Sequence, residues 1–154
     1  MLTSLENDLC QATILIVDDI ELNRKLLETT LSRAGYRNLL LATNGQEALE
    51  LTHRHKPDLV ILDIMMPTMD GFAYCSAIQQ DGDYQSMPII VQTVLDEMEK
   101  KLMAFRLGAA DYICKPIEPL ELLARTKVHL SHKLLLESVR RHHARIDREM
   151  EAAR

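Results

Sequence analysis

The chain has 154 residues, 47% hydrophobic and 27% charged, which is the composition of a soluble globular protein of about one domain. Its formal net charge of -5 argues against broad nucleic-acid binding, which normally needs a basic surface. No long apolar segment or secretory signal is visible, and the three scattered cysteines suit free thiols in a reducing compartment. We therefore expect a cytoplasmic protein without a membrane segment.

The first part of the chain predicts one strand followed by one helix. Residues 1–12 are polar and mixed, so we expect a short arm that is at best partly ordered. The next five residues, TILIV, form an apolar run that predicts a buried strand, and this run ends at Asp18 and Asp19. Apolar residues at helical spacing then predict a helix over residues 20–34.

The same alternation continues along the chain. Apolar runs predict four more strands, over residues 38–42, 58–62, 89–92 and 110–114. Helical periodicity follows each of them, and Asp70 is placed to cap one of these helices. Five consecutive strand and helix units predict a doubly wound α/β fold, with a parallel sheet covered by helices on both faces.

The last predicted helix is unusually long. From residue 118 the helical pattern continues to the C-terminus without a breaker, so residues 131–154 extend beyond a domain at 13–130. A coiled-coil seam with alternating spacings of three and four can be drawn through Leu136, Val139, His143, Ile146, Met150 and Ala153. This pattern predicts a connector to an output domain absent from this sequence, and the alternative is a solvated helix that frays.

Charged and hydroxyl side chains follow four of the predicted strands. The acidic pair 18–19 follows the first, Asp63 the third, Thr93 the fourth and Lys115 the fifth. Because the carboxyl ends of parallel strands meet at one edge, we expect these groups to lie together. Crowded carboxylates repel each other unless a cation lies among them, and hard oxygen ligands suit Mg²⁺. Lysine binds phosphate as a point charge, so a carboxylate such as Asp63 could accept a phosphoryl group there.

These residues resemble the receiver domain of two-component response regulators. The resemblance rests on DD at 18–19, on Asp63 with its MPTMDG tail, on Thr93 and on KP at 115–116, and it covers roughly residues 13–130. It implies a flavodoxin-like (βα)5 fold with strand order 2-1-3-4-5 and an extended C-terminal helix. It also implies that Asp63 accepts a phosphoryl group from a sensor histidine kinase or a phosphotransfer protein.

The resemblance further implies a set of metal ligands. Asp19 and Asp63 would hold Mg²⁺ directly, Asp18 would act largely through water, and the backbone carbonyl of Met65 would supply another oxygen. A simpler interpretation is that Asp18 or Asp19 only caps the first helix. Asp70 is interpreted as a helix cap and not as a ligand.

The resemblance also implies a conformational switch. Lys115 would pair with the phosphoryl oxygens, Thr93 would bond one of them, and Tyr112 would turn inward, unless Tyr112 is an ordinary half-buried strand aromatic. The Lys115–Pro116 peptide bond would be cis. A homodimer is expected either through the C-terminal helix or through the face made by the fourth helix, fifth strand and fifth helix of the repeat.

Two other functions compete with the signalling switch. The first is a Mg²⁺-dependent phosphatase or phosphotransferase with an aspartate nucleophile, but such enzymes usually carry an acid two residues later, where this chain has Met65. The second is a DNA-binding regulator, but no helix-turn-helix pattern occurs in this sequence. One departure from the resemblance is Val94, where a smaller residue is usual, and it predicts slower exchange with small phosphodonors.

Overall fold

The five predicted strands form one parallel sheet. The structure, a computed structural model, describes residues 4–66, 69–94 and 98–154. The strand order is β2-β1-β3-β4-β5, and every neighbouring pair is parallel. The strands are β1 (Thr13–Val17), β2 (Asn38–Ala42), β3 (Leu59–Asp63), β4 (Ile89–Val94) and β5 (Asp111–Lys115). The predicted flavodoxin-like sheet and its order are therefore confirmed.

Helices connect the strands and cover both faces of the sheet. Within the described ranges they are α1 (Ser4–Gln11), α2 (Glu21–Arg33), α3 (Gly45–His55), α4 (Gly71–Gln79), α5 (Met98–Arg106) and α6 (Pro119–Ala152). The side chain of Asn44 accepts the Glu47 N–H at the start of α3. Asp70 caps α4 in the same way by accepting the Ala73 N–H, as its interpretation as a cap requires.

The core has two apolar layers, one on each face of the sheet. Alternate residues of the central strands, such as Ile16 and Ile61, pack in the layer that also contains residues of α2 and α6. The intervening residues, such as Val17 and Leu62, pack in the layer that contains residues of α3 and α4. Because both faces of these strands are buried, the sequence shows continuous apolar runs instead of alternation.

The N-terminal segment is more ordered than the sequence predicts. Instead of a partly ordered arm, α1 packs beside α6, and Leu9 is buried in the same apolar layer as Tyr36 and Leu130. The expectation of a partly ordered arm was wrong because the contact that orders α1 comes from the far end of the chain. An eight-residue helix is marginal by itself, so tertiary packing provides its stability.

The long C-terminal helix is packed against the domain along its first half. Its buried residues lie on one stripe: Leu122, Thr126, Leu130 and Lys133. Beyond Glu137, α6 extends away from the sheet, and of the predicted coiled-coil seam Val139 and Met150 are exposed. The seam remains a prediction. Across the part of the chain that the structure describes, no helix combines the length and apolarity needed to cross a bilayer.

Candidate functional site

The carboxyl-end edge of the sheet brings together side chains from three strands. Asp18 directly follows β1, Asp63 ends β3 and Lys115 ends β5. The Lys115 Nζ lies 3.0 Å from Asp63 Oδ2 and 3.7 Å from Asp18 Oδ2. One ammonium group is therefore shared between two carboxylates at the place where the sequence predicts a site. The Lys115–Pro116 peptide bond is cis, as the resemblance implies.

Three carboxylates crowd around this edge. Asp18, Asp19 and Asp63 each offer an oxygen, and these oxygens all lie within 4.8 Å of one another. Asp18 is fully buried and Asp63 nearly so, whereas Asp19 is exposed. Among the described residues, Asp18 Oδ2 has no hydrogen-bond partner. An excess of carboxylate oxygens, one of them without a hydrogen bond, fits a small divalent cation such as Mg²⁺.

The carboxylate of Asp63 is held at both oxygens. The Met65 N–H donates to Oδ1 at 3.0 Å, and the Lys115 ammonium donates to Oδ2 at 3.0 Å. Burial raises the pKa of Asp63 above its usual value, and the bonds from Met65 and Lys115 offset this effect only in part. The ionised form is therefore under electrostatic tension that a further cation would relieve.

A glycine fixes the loop that follows Asp63. The Gly71 N–H donates to the Ile64 carbonyl oxygen at 3.3 Å. A Cβ atom at Gly71 would lie 2.5 Å from Ile64 Cα and 2.8 Å from the Asp63 carbonyl oxygen, which no side chain tolerates. The Asp-Gly end of the motif thus allows α4 to begin directly beside the site. Residues 67–68 of this loop lie outside the described ranges.

The two predicted switch residues, Thr93 and Tyr112, lie on the opposite face of the sheet from Asp63 and Lys115. Thr93 is buried, and its hydroxyl donates to the Val94 carbonyl oxygen at 3.4 Å. Tyr112 is half-buried, makes an edge contact with Phe105 at 5.8 Å between ring centroids, and carries Lys101 Nζ 4.4 Å above its ring. Among the described residues, Thr93 and Asp63 form no hydrogen bond with each other, so the switch role remains a prediction.

The remaining predicted residues are placed as follows. Met65 has an exposed side chain whose sulfur accepts a hydrogen bond from Lys100, and the role of its carbonyl as a ligand stays a prediction. Val94 is half-exposed at the end of β4, in register with Lys115. Asp18 also accepts the Ile20 N–H through Oδ1, so it stabilises the start of the loop to α2 as well as lying in the site.

Sequence reasoning missed several buried polar groups. His129 is half-buried on α6, and its ring contacts Asp111 at 2.9 Å. Lys133 forms an ion pair with Asp58, 75 positions away, which no local pattern reveals. Gln92 is fully buried in β4. Its signal was visible, because an amide directly follows the apolar residues of the strand IIVQTV.

Comparisons with known proteins identify the family of this chain. The response regulator receiver domain family matches residues 14–127. "Probable transcriptional regulator ycf27" of Guillardia theta is 47% identical over 117 residues, covering 76% of this chain and 44% of that protein. "Response regulator PleD" of Caulobacter vibrioides is 38% identical over 133 residues, covering 86% of this chain and 29% of that protein. The chain thus spans less than half the length of these relatives.

Solved structures that share this fold come from the same family. The crystal structure of the chemotaxis response regulator CheY4 of Vibrio cholerae superposes with a TM-score of 0.72 at 33% identity, covering 77% of this chain and 98% of that one. Family, relatives and fold thus agree with one another. This chain belongs to the response regulator receiver family, the signalling switches of two-component systems.

Proposed function

We propose that this chain accepts a phosphoryl group on Asp63 from the phosphohistidine of a sensor histidine kinase or a phosphotransfer protein. The observation that carries the proposal is the position of Asp63. It ends the central strand, bonds Lys115 at 3.0 Å and lies within 4.8 Å of the carboxylate oxygens of Asp18 and Asp19. A carboxylate in such a place can act as a nucleophile and form an acyl phosphate.

The transfer exchanges one bond to phosphorus for another. A carboxylate oxygen of Asp63 attacks the phosphorus, the phosphorus–nitrogen bond to the donor histidine breaks, and the imidazole keeps the electron pair and takes up a proton. The Lys115 ammonium would then turn from the Asp63 carboxylate to the transferred group and bond a phosphoryl oxygen. Catalysis of this kind consists mainly of positioning and charge neutralisation.

Mg²⁺ is the cofactor that the donor set fits. Asp19, Asp63 and the Met65 carbonyl would hold the ion directly, and Asp18 would hold it largely through water. When bound, Mg²⁺ would neutralise the crowded carboxylates and the phosphoryl oxygens. Lys115 would neutralise the remaining charge from the other side of Asp63.

The added charge would then act as a conformational signal. Thr93 would turn toward the phosphoryl group and Tyr112 would move into the space that it leaves. The surface that changes is made by β4, α5 and β5, next to the first turns of α6. This surface or the exposed second half of α6 would bind a second copy of the chain.

The organisation of the chain supports an output role. We infer an N-terminal segment at 1–12, a receiver domain at 13–130 and a helical extension at 131–154 that connects to an output domain. The relatives named above are longer than the matched region, which is consistent with such a connection. A cytoplasmic location follows from the partners proposed here.

A phosphotransfer assay tests the proposed function. Wild-type protein with Mg²⁺ and a phosphorylated donor should gain about one label per chain, and the label should be lost in base and absent from Asp63→Asn. Asp70→Asn is the matched control, because asparagine also caps helices, and it should be labelled like the wild type.

Two results would count against the proposal. A label retained in Asp63→Asn would place the acceptor elsewhere. Many turnovers on a small phosphate ester would favour a phosphatase or phosphotransferase, although Met65 stands where such enzymes usually carry their second acid. Calorimetric titration with Mg²⁺ separates binding of the ion from transfer, since Asp19→Asn should weaken the former.

A further inference from the structure

Gln92 is a buried amide without a partner next to the proposed phosphorylation site. Its side chain is fully buried, and among the described residues neither its Nε2 nor its Oε1 has a hydrogen bond. Primary amides in protein interiors almost always pair both groups, because burying them unpaired costs free energy. An apolar residue of the same size would avoid this cost, so the amide calls for an explanation.

The sheet places Gln92 between the two residues of the central ion pair. In β3 and β4, Gln92 is in direct register with Asp63, and in β4 and β5 it is in register with Ile113, two residues before Lys115. Ile90 and Ile113 both lie in the apolar layer beside α2 and α6. Side chains alternate along a strand, so Gln92 and Lys115 point toward that same face.

The ion pair between Lys115 and Asp63 crosses over the strand β4. Lys115 is on β5 and Asp63 is on β3, while β4 lies between these two strands. Their side chains nevertheless meet at 3.0 Å. Ile61, two residues before Asp63, shares the apolar layer of Ile90, which puts Asp63 on the same face as well. Gln92 thus lies on the strand between Lys115 and Asp63 and faces the same side of the sheet as both of them.

We propose that Gln92 is a positioning residue for phosphoryl transfer, whose amide is unpaired at rest and bonds the separating Asp63–Lys115 pair when a phosphoryl group enters. This inference rests on the proposed function of Asp63. In the resting state each member of the pair satisfies the other. When Lys115 turns to a phosphoryl oxygen, the Asp63 oxygen loses its donor, and the amide Nε2 of Gln92 can replace it.

The energetic consequence is a bias toward the phosphorylated state. The amide is buried without a partner only before the phosphoryl group arrives, so the cost of its burial falls on the resting state alone. Removing the amide should stabilise the resting protein and weaken its affinity for a phosphoryl group. A residue that merely fills the core would produce the first effect without the second.

Thr126 provides a matched control. Its hydroxyl on α6 is fully buried and also lacks a partner among the described residues. The residues one turn to either side, Leu122 and Leu130, lie in the same apolar layer as Ile90. Thr126→Val therefore removes an unpaired polar atom from this layer, on a helix instead of on a strand that ends at the site.

The test measures binding of beryllofluoride, a stable mimic of a phosphoryl group, in the presence of Mg²⁺. Calorimetry on the full chain should show affinity roughly 5- to 30-fold weaker in Gln92→Met and unchanged in Thr126→Val. Both variants should have higher urea midpoints without Mg²⁺. Affinity for Mg²⁺ alone should be equal in all three proteins, because the carboxylates are intact.

Each of the other outcomes contradicts either the inference about Gln92 or the proposed function of Asp63. Beryllofluoride affinity of Gln92→Met within twofold of the wild type would overturn the inference while leaving the proposed function intact. Absence of binding by the wild type would instead refute the proposed function. Gln92→Leu is the second variant if Gln92→Met does not fold, and failure of both to fold would overturn the inference by showing that the amide supports the fold itself.

Discussion

The two ends of β3 each carry an aspartate bonded to a lysine from a distant part of the chain, and they differ in charge balance. Asp58 directly precedes β3 at its amino end and forms an ion pair with Lys133 of α6. Lys133 also contacts Glu137 at 2.7 Å, and Asp58 accepts the Thr13 N–H at 2.8 Å. Asp58, Lys133 and Glu137 are thus all paired, and the lysine is almost fully buried.

The carboxyl end is unbalanced. There, Lys115 faces Asp63 and Asp18, with Asp19 close by, and Asp18 Oδ2 has no hydrogen bond among the described residues. The same residue types thus build a closed site at one end of the strand and an open one at the other. A site whose charges are all paired, here called closed, can only stabilise the fold. A site with excess negative charge, here called open, can also bind a cation or accept a phosphoryl group.

The pKa values of Lys133 and Asp63 are both raised, which favours the charged form of the lysine and the neutral form of the aspartate. Burial lowers the pKa of Lys133, but Asp58 and Glu137 outweigh it and the net pKa is raised. Its stabilising contribution is therefore complete below the usual lysine pKa and is lost as pH rises through the folded value. At Asp63 burial prevails and raises the pKa, so its contribution is lost as pH rises through that value. At neutral pH the fold favours the Lys133 charge and opposes the Asp63 charge.

The largest effect is expected at the closed end. Lys133→Met leaves Asp58 and Glu137 facing each other without a cation, and the free energy of unfolding should fall by about 3 kcal/mol at neutral pH. Urea denaturation measures this change. Lys127→Met, at an exposed position of the same helix, is the control and should change stability by less than about 0.5 kcal/mol. If Lys133→Met were as stable as the control, the closed site would not stabilise the fold.

The open end should respond with the opposite sign. Asp63→Asn removes an ionised group that burial opposes, so the metal-free protein should gain on the order of 1 kcal/mol in free energy of unfolding at pH 7. Mg²⁺ should stabilise the wild type more than this variant, because a ligand that binds only the folded state adds to its stability. Asp70→Asn is again the control. A loss of stability in metal-free Asp63→Asn would show that the site is balanced without a cation.

The sequence predicted the open end better than the closed one. Asp18, Asp63 and Lys115 each follow an apolar strand directly, so a local pattern and the geometry of parallel sheets suffice to place them together. Lys133 is 75 positions from Asp58, and nothing near either residue indicates the pairing. Gln92 is intermediate, because its polar side chain in an apolar strand was visible but its lack of a partner was not.

The strand boundaries also show that local patterns can be predicted from the sequence and that long-range contacts cannot. β1 and β2 have the predicted boundaries, because continuous apolar runs are typical of strands buried on both faces. β3 was predicted from residue 58 but begins at Leu59. The difference has a physical reason: the carboxylate of Asp58 bonds the Thr13 N–H and Lys133 at the end of the sheet.

A second ion cluster at the amino end allows a test by pH. Asp111 begins β5 and bonds Arg125 at 2.8 Å and His129 at 2.9 Å. Burial would raise the pKa of Asp111, but the bonds from His129 and Arg125 outweigh it and lower the pKa. The stabilising contribution of Asp111 is therefore present above the usual carboxyl pKa and is lost as pH falls through the folded value.

Asp111→Asn should accordingly reduce the free energy of unfolding by about 1 kcal/mol at neutral pH, a modest loss because Arg125 is partly solvated. The difference from the wild type should shrink as pH falls below the usual carboxyl pKa, and urea denaturation at neutral and at acidic pH checks it. Glu121→Gln, which removes only the exposed partner of Arg125, is the control. A difference that persisted unchanged in acid would mean that the ionised carboxylate is not what stabilises β5.

The smallest effect concerns access to the open end. Val94 ends β4 in register with Lys115 and is half-exposed, so we expect its methyl groups to narrow the approach to Asp63. Val94→Ala should speed labelling by a small acyl phosphate on the order of threefold, a change of well under 1.4 kcal/mol in the barrier. Val128→Ala, at an exposed position of α6, should leave the rate unchanged. An equal rate in Val94→Ala and the wild type would show that the charge arrangement alone, and not the width of the approach, sets how fast Asp63 reacts.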